Sequence, residues 1–144
     1  MRKLALSAIA LAVPASHPAR TFKDWTAWAR TQGGRLNYAS SGNGSVASLY
    51  GFQVNEQFDI KGTHVPYKSA IQFLPDLASG RIDFTMLDIF TTRPFVTRGD
   101  VRLLAVTGEE RSRFLPEVPT FKELGHAGYD RMGWTAYYVR AGTP

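Results

Sequence analysis

The residues best suited to bind a ligand form a loop of small polar residues at positions 40–45. Its members are Ser40, Ser41, Gly42, Asn43, Gly44 and Ser45. The two glycines let a ligand approach the backbone closely, and the short side chains add hydrogen-bond donors that carry no charge. Where a strand precedes such a loop and a helix follows it, unpaired amides and the positive end of the helix dipole face the same space. The loop is therefore predicted to bind a carboxylate.

Two other interpretations of this loop stay open on the residues alone. The spacing Gly42-x-Gly44-x-x-Ala47 satisfies a loose dinucleotide fingerprint, which would make the chain a nucleotide-binding α/β domain of an oxidoreductase. Such a site expects an acidic residue at the end of the next strand, but that segment ends in Val65-Pro66-Tyr67-Lys68, and Asp59 precedes the strand. The loop could also be a turn that only joins two elements.

Catalytic and metal-binding chemistry finds little support in the residue types. The chain has no cysteine, which excludes a disulfide framework, a thiolate metal site and a cysteine nucleophile. His17, His64 and His126 lack the paired spacing of a metal site and have no local partner for a charge relay. Ser45 is not part of a Gly-x-Ser-x-Gly nucleophile elbow. We therefore expect no catalytic residue, no metal and no cofactor.

Predicted strands and helices alternate along the chain. Helices are predicted to begin near Thr21 or Ser16, after the 40–45 loop, at Ser69 and after Asp88. The predicted strands cover residues 36–39, 63–67, 82–87, 101–107 and 134–139. This order favours an α/β lobe with a mainly parallel sheet covered by helices on both faces.

The helix after Ser69 is predicted to bury one row of apolar residues. The row is Ile71, Leu74, Leu77 and Ala78. Pro75 lies inside this helix, where it lacks an amide proton and crowds the preceding turn, so we expect a kink or a restart there. Gly80 ends the helix, and a shorter helix is predicted over residues 121–125.

Composition is that of an ordinary globular domain. The 144 residues are 44% apolar and 20% charged, which permits one packed core. The net charge of +5 comes from lysines and arginines spread along the chain. Their densest stretch lacks aromatic residues interleaved as a stacking platform would require; it comprises Arg93, Arg98, Arg102, Arg111 and Arg113. We therefore interpret the positive charge as a solvated surface that attracts anions, and we do not expect a nucleic-acid partner.

The N-terminal residues have two interpretations. Met1-Arg2-Lys3 followed by the apolar run 4–13 has the layout of a secretory signal peptide. The run is far shorter than the roughly 20 apolar residues that span a bilayer as a helix, so we do not expect a membrane-spanning segment. The competing interpretation is a buried strand.

Several short segments, in the same order and at similar spacing, resemble the substrate-binding proteins of tripartite tricarboxylate transporters, the Bug-type solute receptors. The segments are Pro18-Ala19-Arg20-Thr21-Phe22-Lys23, residues 36–45, His64-Val65-Pro66-Tyr67-Lys68, Ser79-Gly80-Arg81-Ile82-Asp83, Leu103-Leu104-Ala105-Val106-Thr107, Leu115-Pro116-Glu117-Val118-Pro119-Thr120 and Ala141-Gly142-Thr143-Pro144. The resemblance runs over nearly the whole chain. In one place the chain departs from the family, because Ser69 follows Lys68 where the family usually has glycine.

The resemblance implies a type 2 periplasmic-binding fold, in which two α/β lobes joined by crossing strands hold a small carboxylate without reacting with it. It implies a periplasmic location and a partnership with membrane transporter subunits. It also implies that the 40–45 loop donates hydrogen bonds to the ligand carboxylate, directly or through water. Tyr67 would line the cleft, and Asp88 would face a ligand amine or a bridging water. Asp88 is equally well explained as a helix cap without a ligand role.

The same resemblance sets the expected domain boundaries. Residues 1–20 would be a crossing strand, or a signal-like segment, with a linker, residues 21–130 the ligand-binding lobe, and residues 131–144 the returning hinge strand. Alignment of residues 6–13 with a crossing strand makes us favour the strand interpretation. Members of the family are roughly twice as long as this chain, so we expect a truncated form with one lobe that binds ligand weakly.

Overall fold

The computed structural model describes residues 2–131, 133–137 and 140–142. Seven strands and four helices are found in this part of the chain. In order they are β1 (Arg2–Ser7), β2 (Ile9–Pro14), α1 (Phe22–Thr31), β3 (Asn37–Ser40), α2 (Val46–Gln57), β4 (Thr63–Pro66), α3 (Ala70–Ala78), β5 (Phe84–Asp88), α4 (Ile89–Thr97), β6 (Val101–Val106) and β7 (Gly133–Tyr137).

Five strands form the central sheet in the order β4-β3-β5-β2-β6. Strand β3 pairs in parallel with both β4 and β5, whereas β2 pairs antiparallel with β5 and with β6. Four strands therefore run in one direction and β2 runs in the other. The expected predominance of one strand direction is found, but β2 makes the sheet mixed.

Helices cover both faces of this sheet, as expected. On one face α1 and α2 pack Trp25 and Val54 onto a cluster that includes Leu11 and Phe84. On the other face α3 and the start of α4 pack Leu74 and related side chains against a second cluster. The lobe therefore has the three-layer arrangement that two-sided burial of a sheet requires.

Strand β2 explains why the N-terminal apolar run resembles a signal peptide. All of its residues from Ile9 to Pro14 are buried, because helices cover both sides of the sheet. Its large side chains, including Leu11, enter the first cluster, while its alanines enter the second. A strand buried on both faces reads as a continuous apolar run, so the strand prediction for residues 6–13 is matched by β2 and by the end of β1.

The first and last strands pair with each other outside the central sheet. Strands β1 and β7 are antiparallel, with Arg2 opposite Tyr137 and Ser7 opposite Gly133. The predicted strand over 134–139 corresponds to β7, and its residues 138 and 139 lie outside the described part of the chain. The pair thus brings the two ends of the described chain together beside the lobe.

Two details of the predicted helices are wrong, namely the buried row of α3 and the short helix over residues 121–125. Ile71 is 80% exposed, and the buried residues of α3 are Phe73, Leu74 and Leu77. Helix α3 continues through Pro75 without a restart. Residues 121–125 form turns rather than a short helix.

In the described residues no helix is long and apolar enough to cross a membrane.

Candidate ligand-binding cleft

The 40–45 loop connects the end of β3 to the start of α2, as the sequence predicted. Ser45 is the N-cap of α2, and its hydroxyl oxygen accepts a hydrogen bond from the Ser48 amide at 3.2 Å. Gly42 and Gly44 have φ angles of +106° and +79°, a left-handed region that other residues rarely adopt. The glycines thus permit the turn that aims the helix N-terminus outward.

The loop forms one wall of a cavity of about 390 Å³ at the carboxyl end of the sheet. The ends of β5 and of β1, together with the first residues of α2, β2, α4 and β7, complete the wall. The lining residues are Ser7, Ile9, Ser41, Ser45, Val46, Ala47, Met86, Leu87, Asp88, Phe90, Thr91 and Gly133. Helices α2 and α4 therefore both begin at this cavity.

The first turn of α2 supplies unpaired hydrogen-bond donors to the cavity. The first amides of a helix lack intrahelical partners, and here the Ser45 side chain satisfies only that of Ser48. Within the described residues, the amides of Val46 and Ala47 have no acceptor. Asp88 is the only charged residue in the described wall. An anion would therefore be held by backbone dipoles and hydroxyl groups rather than by a cation.

The predicted donors of the loop divide into three groups. Ser41 and Ser45 line the cavity, while Asn43 and Gly44 are exposed at the turn between them. Ser40 is fully buried, and its hydroxyl is used inside the loop by contacts with Gly42 and with His64. The hydroxyl of Ser40 is thus placed to support the loop, and Ser41 and Ser45 lie in the cavity wall.

Tyr67 adjoins the loop through its backbone, but its side chain turns away. Its amide donates to the Ser40 carbonyl at 2.9 Å, whereas its hydroxyl donates to Asp76 Oδ2 at 2.8 Å. The ring packs edge-on against Phe73 of α3. Burial and the Asp76 carboxylate both raise the pKa of Tyr67. In the described structure Tyr67 lies outside the cavity wall.

Asp88 is the N-cap of α4, the role that the sequence offered as its second interpretation. Its Oδ1 accepts from the amides of Phe90 and Thr91 at 3.1 and 2.9 Å. Its Oδ2 accepts from the Thr91 hydroxyl at 2.5 Å. The carboxylate also lies in the cavity wall. Its charge is thus partly balanced by the helix that it caps.

Several wall residues were not predicted. Phe90 and Thr91 lie in the first turn of α4. The sequence predicts a strand followed directly by a helix there, and this pattern could have pointed to both residues. Ser7 and Gly133 are 126 positions apart and reach the cavity only because β1 pairs with β7. Strand pairing at that separation has no local sequence signal.

The described residues support neither a metal centre nor the nucleotide alternative. No group of three or more acidic or histidine side chains is placed to hold a metal among them. Asp59, the acidic residue considered for a ribose contact, follows α2, has a φ of 50° and pairs with Lys61 at 3.5 Å. The oxidoreductase interpretation is therefore not favoured.

Solved structures with the same architecture include a solute binding protein and a protein solved with adipate. An R. palustris protein solved with adipate aligns with a TM-score of 0.92 at 32% identity, over 99% of this chain and 48% of that one. A TctC solute binding protein from Polaromonas, solved with no ligand, aligns with a TM-score of 0.82 at 28% identity, over 99% and 48%. The fold is that of one lobe of a type 2 periplasmic-binding protein, with its cavity at the carboxyl ends of the strands.

Sequence comparison identifies the family. The model of the tripartite tricarboxylate transporter family receptor matches residues 1–144, and the chain belongs to that family. A UPF0065 protein from Cupriavidus necator, in the gbd 5' region, is 34% identical over 115 residues, 80% of this chain and 35% of that protein. A UPF0065 protein from Pseudomonas sp. strain P51 is 32% identical over 135 residues, 93% of this chain and 40% of that protein. The chain thus spans less than half the length of these relatives.

Proposed function

We propose that this chain forms one wall of the ligand cleft of a receptor that captures a small carboxylate for a tripartite tricarboxylate-type transporter. The observation that carries the proposal is the cavity shared by the N-termini of α2 and α4, where the Val46 and Ala47 amides have no acceptor among the described residues. The dipole of α2 favours an anion there, whereas the dipole of α4 is already partly balanced by the Asp88 carboxylate. Family membership and the adipate-bound R. palustris relative support the same ligand class.

The proposed mechanism is capture without chemistry. Ser41 and Ser45 hydroxyls and the first amides of α2 bind the carboxylate, directly or through water. Asp88 keeps its capping role and meets a ligand amine or a bridging water. The Tyr67 side chain supports the wall from behind, through Asp76. Function in this family implies a periplasmic location and contact with the transporter's membrane subunits.

The other part of the proposed receptor is a second lobe that closes over the ligand. The paired strands β1 and β7 would be the hinge strands on either side of a ligand-binding lobe at 21–130. In two-lobed receptors affinity comes from closing both walls around the ligand. We therefore expect this chain alone to bind a carboxylate only weakly, in the millimolar range or above.

Val46 offers a direct test of the amide donors. Proline at the first helical position fits the helix but removes the amide proton, and the extended Ser45 backbone, with ψ of 158°, tolerates a following proline. We expect millimolar adipate to shift the amide NMR signals of Ala47 and Ser45 in the ¹⁵N-labelled chain. Val46→Pro should reduce that response, whereas Val46→Ala, which keeps the amide, should retain it.

The neutral diamide of adipic acid is the matched control ligand. It has the same length and no negative charge, so its effect on these amides should be much smaller. Equal responses to the acid and the diamide would contradict a carboxylate site. A response to adipate confined to residues outside the cavity would place the ligand elsewhere.

A further inference from the structure

A partly buried contact connects the 40–45 loop to the edge strand of the sheet. Ser40, the last residue of β3, is fully buried, and its hydroxyl oxygen lies 2.6 Å from Nε2 of His64 in β4. The same oxygen lies 3.0 Å from the Gly42 carbonyl oxygen and 3.2 Å from the Gly42 amide nitrogen. Three polar atoms therefore share one hydroxyl group.

The hydrogen-bonding capacity of a serine decides how these atoms pair. A hydroxyl has one proton to donate and two lone pairs to accept with. The Gly42 amide can only donate, and the Gly42 carbonyl can only accept, so they use one lone pair and the proton. The second lone pair of Ser40 then faces His64 Nε2. All three contacts are satisfied when Nε2 carries a proton and donates to Ser40.

Strand register places the imidazole where it can do this. His64 is opposite Tyr38 in the parallel pairing of β3 and β4, and Ser40 lies two residues beyond Tyr38 on the same face of the strand. The Tyr38 and His64 rings stack with centroids 5.0 Å apart and an interplanar angle of 24°. Tyr38 thus holds the ring while Nε2 reaches Ser40.

The contact is connected to the ligand donors by a short series of hydrogen bonds. Ser40 holds the Gly42 peptide on both its amide and carbonyl sides, and the Gly42 carbonyl accepts from the Ser45 amide at 3.3 Å. Ser45 is the N-cap of α2, next to the unpaired Val46 amide. We infer that His64 is a positioning residue, which fixes the conformation of the 40–45 loop by donating a hydrogen bond from Nε2 to Ser40. Its effect on ligand binding rests on the proposed function, whereas its effect on the loop does not.

Two substitutions separate the hydrogen bond from ring packing. His64→Phe keeps an aromatic ring against Tyr38 and removes the donor. His64→Gln removes the ring and retains an N–H donor of similar reach. We expect His64→Phe to shift the amide signals of Gly42 through Ser45 and to weaken adipate binding about tenfold, because a buried acceptor loses its partner. His64→Gln should stay within about threefold of the parent chain.

Imidazole NMR of the unmodified chain gives an independent readout. A long-range ¹H–¹⁵N spectrum should show a proton on Nε2 of His64. A bare Nε2 nitrogen would overturn the inference, even if a variant failed to fold. The inference would also be overturned by a His64→Phe chain with unchanged loop signals, or by a His64→Gln chain as impaired as His64→Phe.

The outcomes also distinguish this inference from the proposed function. If adipate leaves the parent chain's Ala47 and Ser45 signals unchanged, the carboxylate proposal fails, and the loop signals and the tautomer still decide the role of His64. If adipate binds the parent chain and His64→Phe equally, the carboxylate proposal stands and the positioning role is wrong.

Discussion

The carboxylate of Asp88 accepts hydrogen bonds from the first turn of α4, although the side chain also lines the cavity. It accepts from two amides that a helix N-terminus leaves unpaired, and also from the Thr91 hydroxyl. The two carboxylate oxygens can cap the helix and still accept a hydrogen bond from a ligand or a water, because a carboxylate has several lone pairs. The stability of the lobe and the shape of the cleft therefore depend on the same residue.

Substitution of Asp88 separates capping from charge. Asp88→Ala should lower the free energy of unfolding by about 1 kcal/mol, since it leaves the Phe90 and Thr91 amides without their acceptor. Asp88→Asn retains a capping oxygen and should lie near the parent value. Urea denaturation measures both. Asp59→Asn, at an exposed position with a φ that asparagine tolerates, is the control and should change little. Equal losses in the free energy of unfolding for Asp88→Ala and Asp88→Asn would show that the negative charge, and not the capping oxygen, causes the effect.

His126 predicts a pH dependence of stability. Burial, with a smaller effect from Arg30, lowers its pKa below the ordinary value of 6.5. The unfolded chain therefore binds this proton more tightly than the folded chain does. The contribution of His126 to stability is present above about pH 6.5 and is lost as the pH falls through the lowered pKa.

His126→Phe keeps the ring contacts with Phe22 and Phe58 and removes the titration. Urea unfolding between about pH 8 and pH 5 should show a smaller loss of stability on acidification than in the parent chain. His17, whose pKa burial also lowers, remains in the variant, so part of the dependence should persist. Parallel stability curves for the two chains would contradict the assignment to His126.

Helix α2 packs closely on the sheet at Gly51, the one glycine of this helix. A Cβ placed on Gly51 would lie 2.6 and 2.7 Å from Cδ2 and Cε2 of Tyr38. The Tyr38 ring has little freedom to move, because it stacks against His64 and Phe84. Close approach of α2 to β3 therefore requires the absence of a side chain at position 51, and this approach sets the position of the helix N-terminus at the cavity.

Gly51→Ala should destabilise the lobe although alanine is the better helix former. Overpacking costs about 1 to 3 kcal/mol, against a gain of roughly 1 kcal/mol in helix propensity. Chemical denaturation should show a net loss. Leu49→Ala, on the same helix at a side chain that is 62% exposed, should change stability by less than about 0.5 kcal/mol. A Gly51→Ala chain more stable than the parent would show that Tyr38 can move.

Hydrogen bonds from Arg102 connect the segment between β2 and α1 to the sheet. Its guanidinium donates to the carbonyl oxygens of Ala15, His17 and Ala19, at 2.8, 2.9 and 3.0 Å. The planar guanidinium spreads its fixed donors over separate nitrogens, and two of these nitrogens serve the three carbonyls. One side chain of β6 thus joins the proposed linker to the central sheet across more than 80 positions of sequence.

Arg102→Met keeps most of the aliphatic side chain and removes these donors. We expect a loss of about 2 to 4 kcal/mol in the free energy of unfolding, since three buried or partly buried carbonyls lose a charged partner. Hydrogen exchange should also become faster at Ala15 and Ala19. Arg98→Met is the matched control, because it breaks an exposed pair with Asp100 and a cation–π contact with the Phe95 ring but no contact with the linker. It should cost about 1 kcal/mol or less. Equal losses for the two variants would contradict the fastening role.

The local chemistry of the sequence determined the order of elements and the place of the loop. N-cap residues, glycine turns and apolar periodicity act over a few neighbouring positions, so the starts of α1 and α2 and the loop between β3 and α2 could be predicted. The capping alternative for Asp88 was available for the same reason. An apolar run, by contrast, carries no strand direction, which is why the reversed orientation of β2 was not predicted.

Only the tertiary structure decided which distant residues meet. Pairing of β1 with β7 brings Ser7 and Gly133 to the cavity, and the register of β4 on β3 brings His64 to Ser40. The Tyr67 side chain points to Asp76 because α3 packs over it, although its position at a strand end suggested the cleft. Such contacts depend on strand pairing and packing between segments far apart in the chain, and no local pattern of residue types encodes those distances.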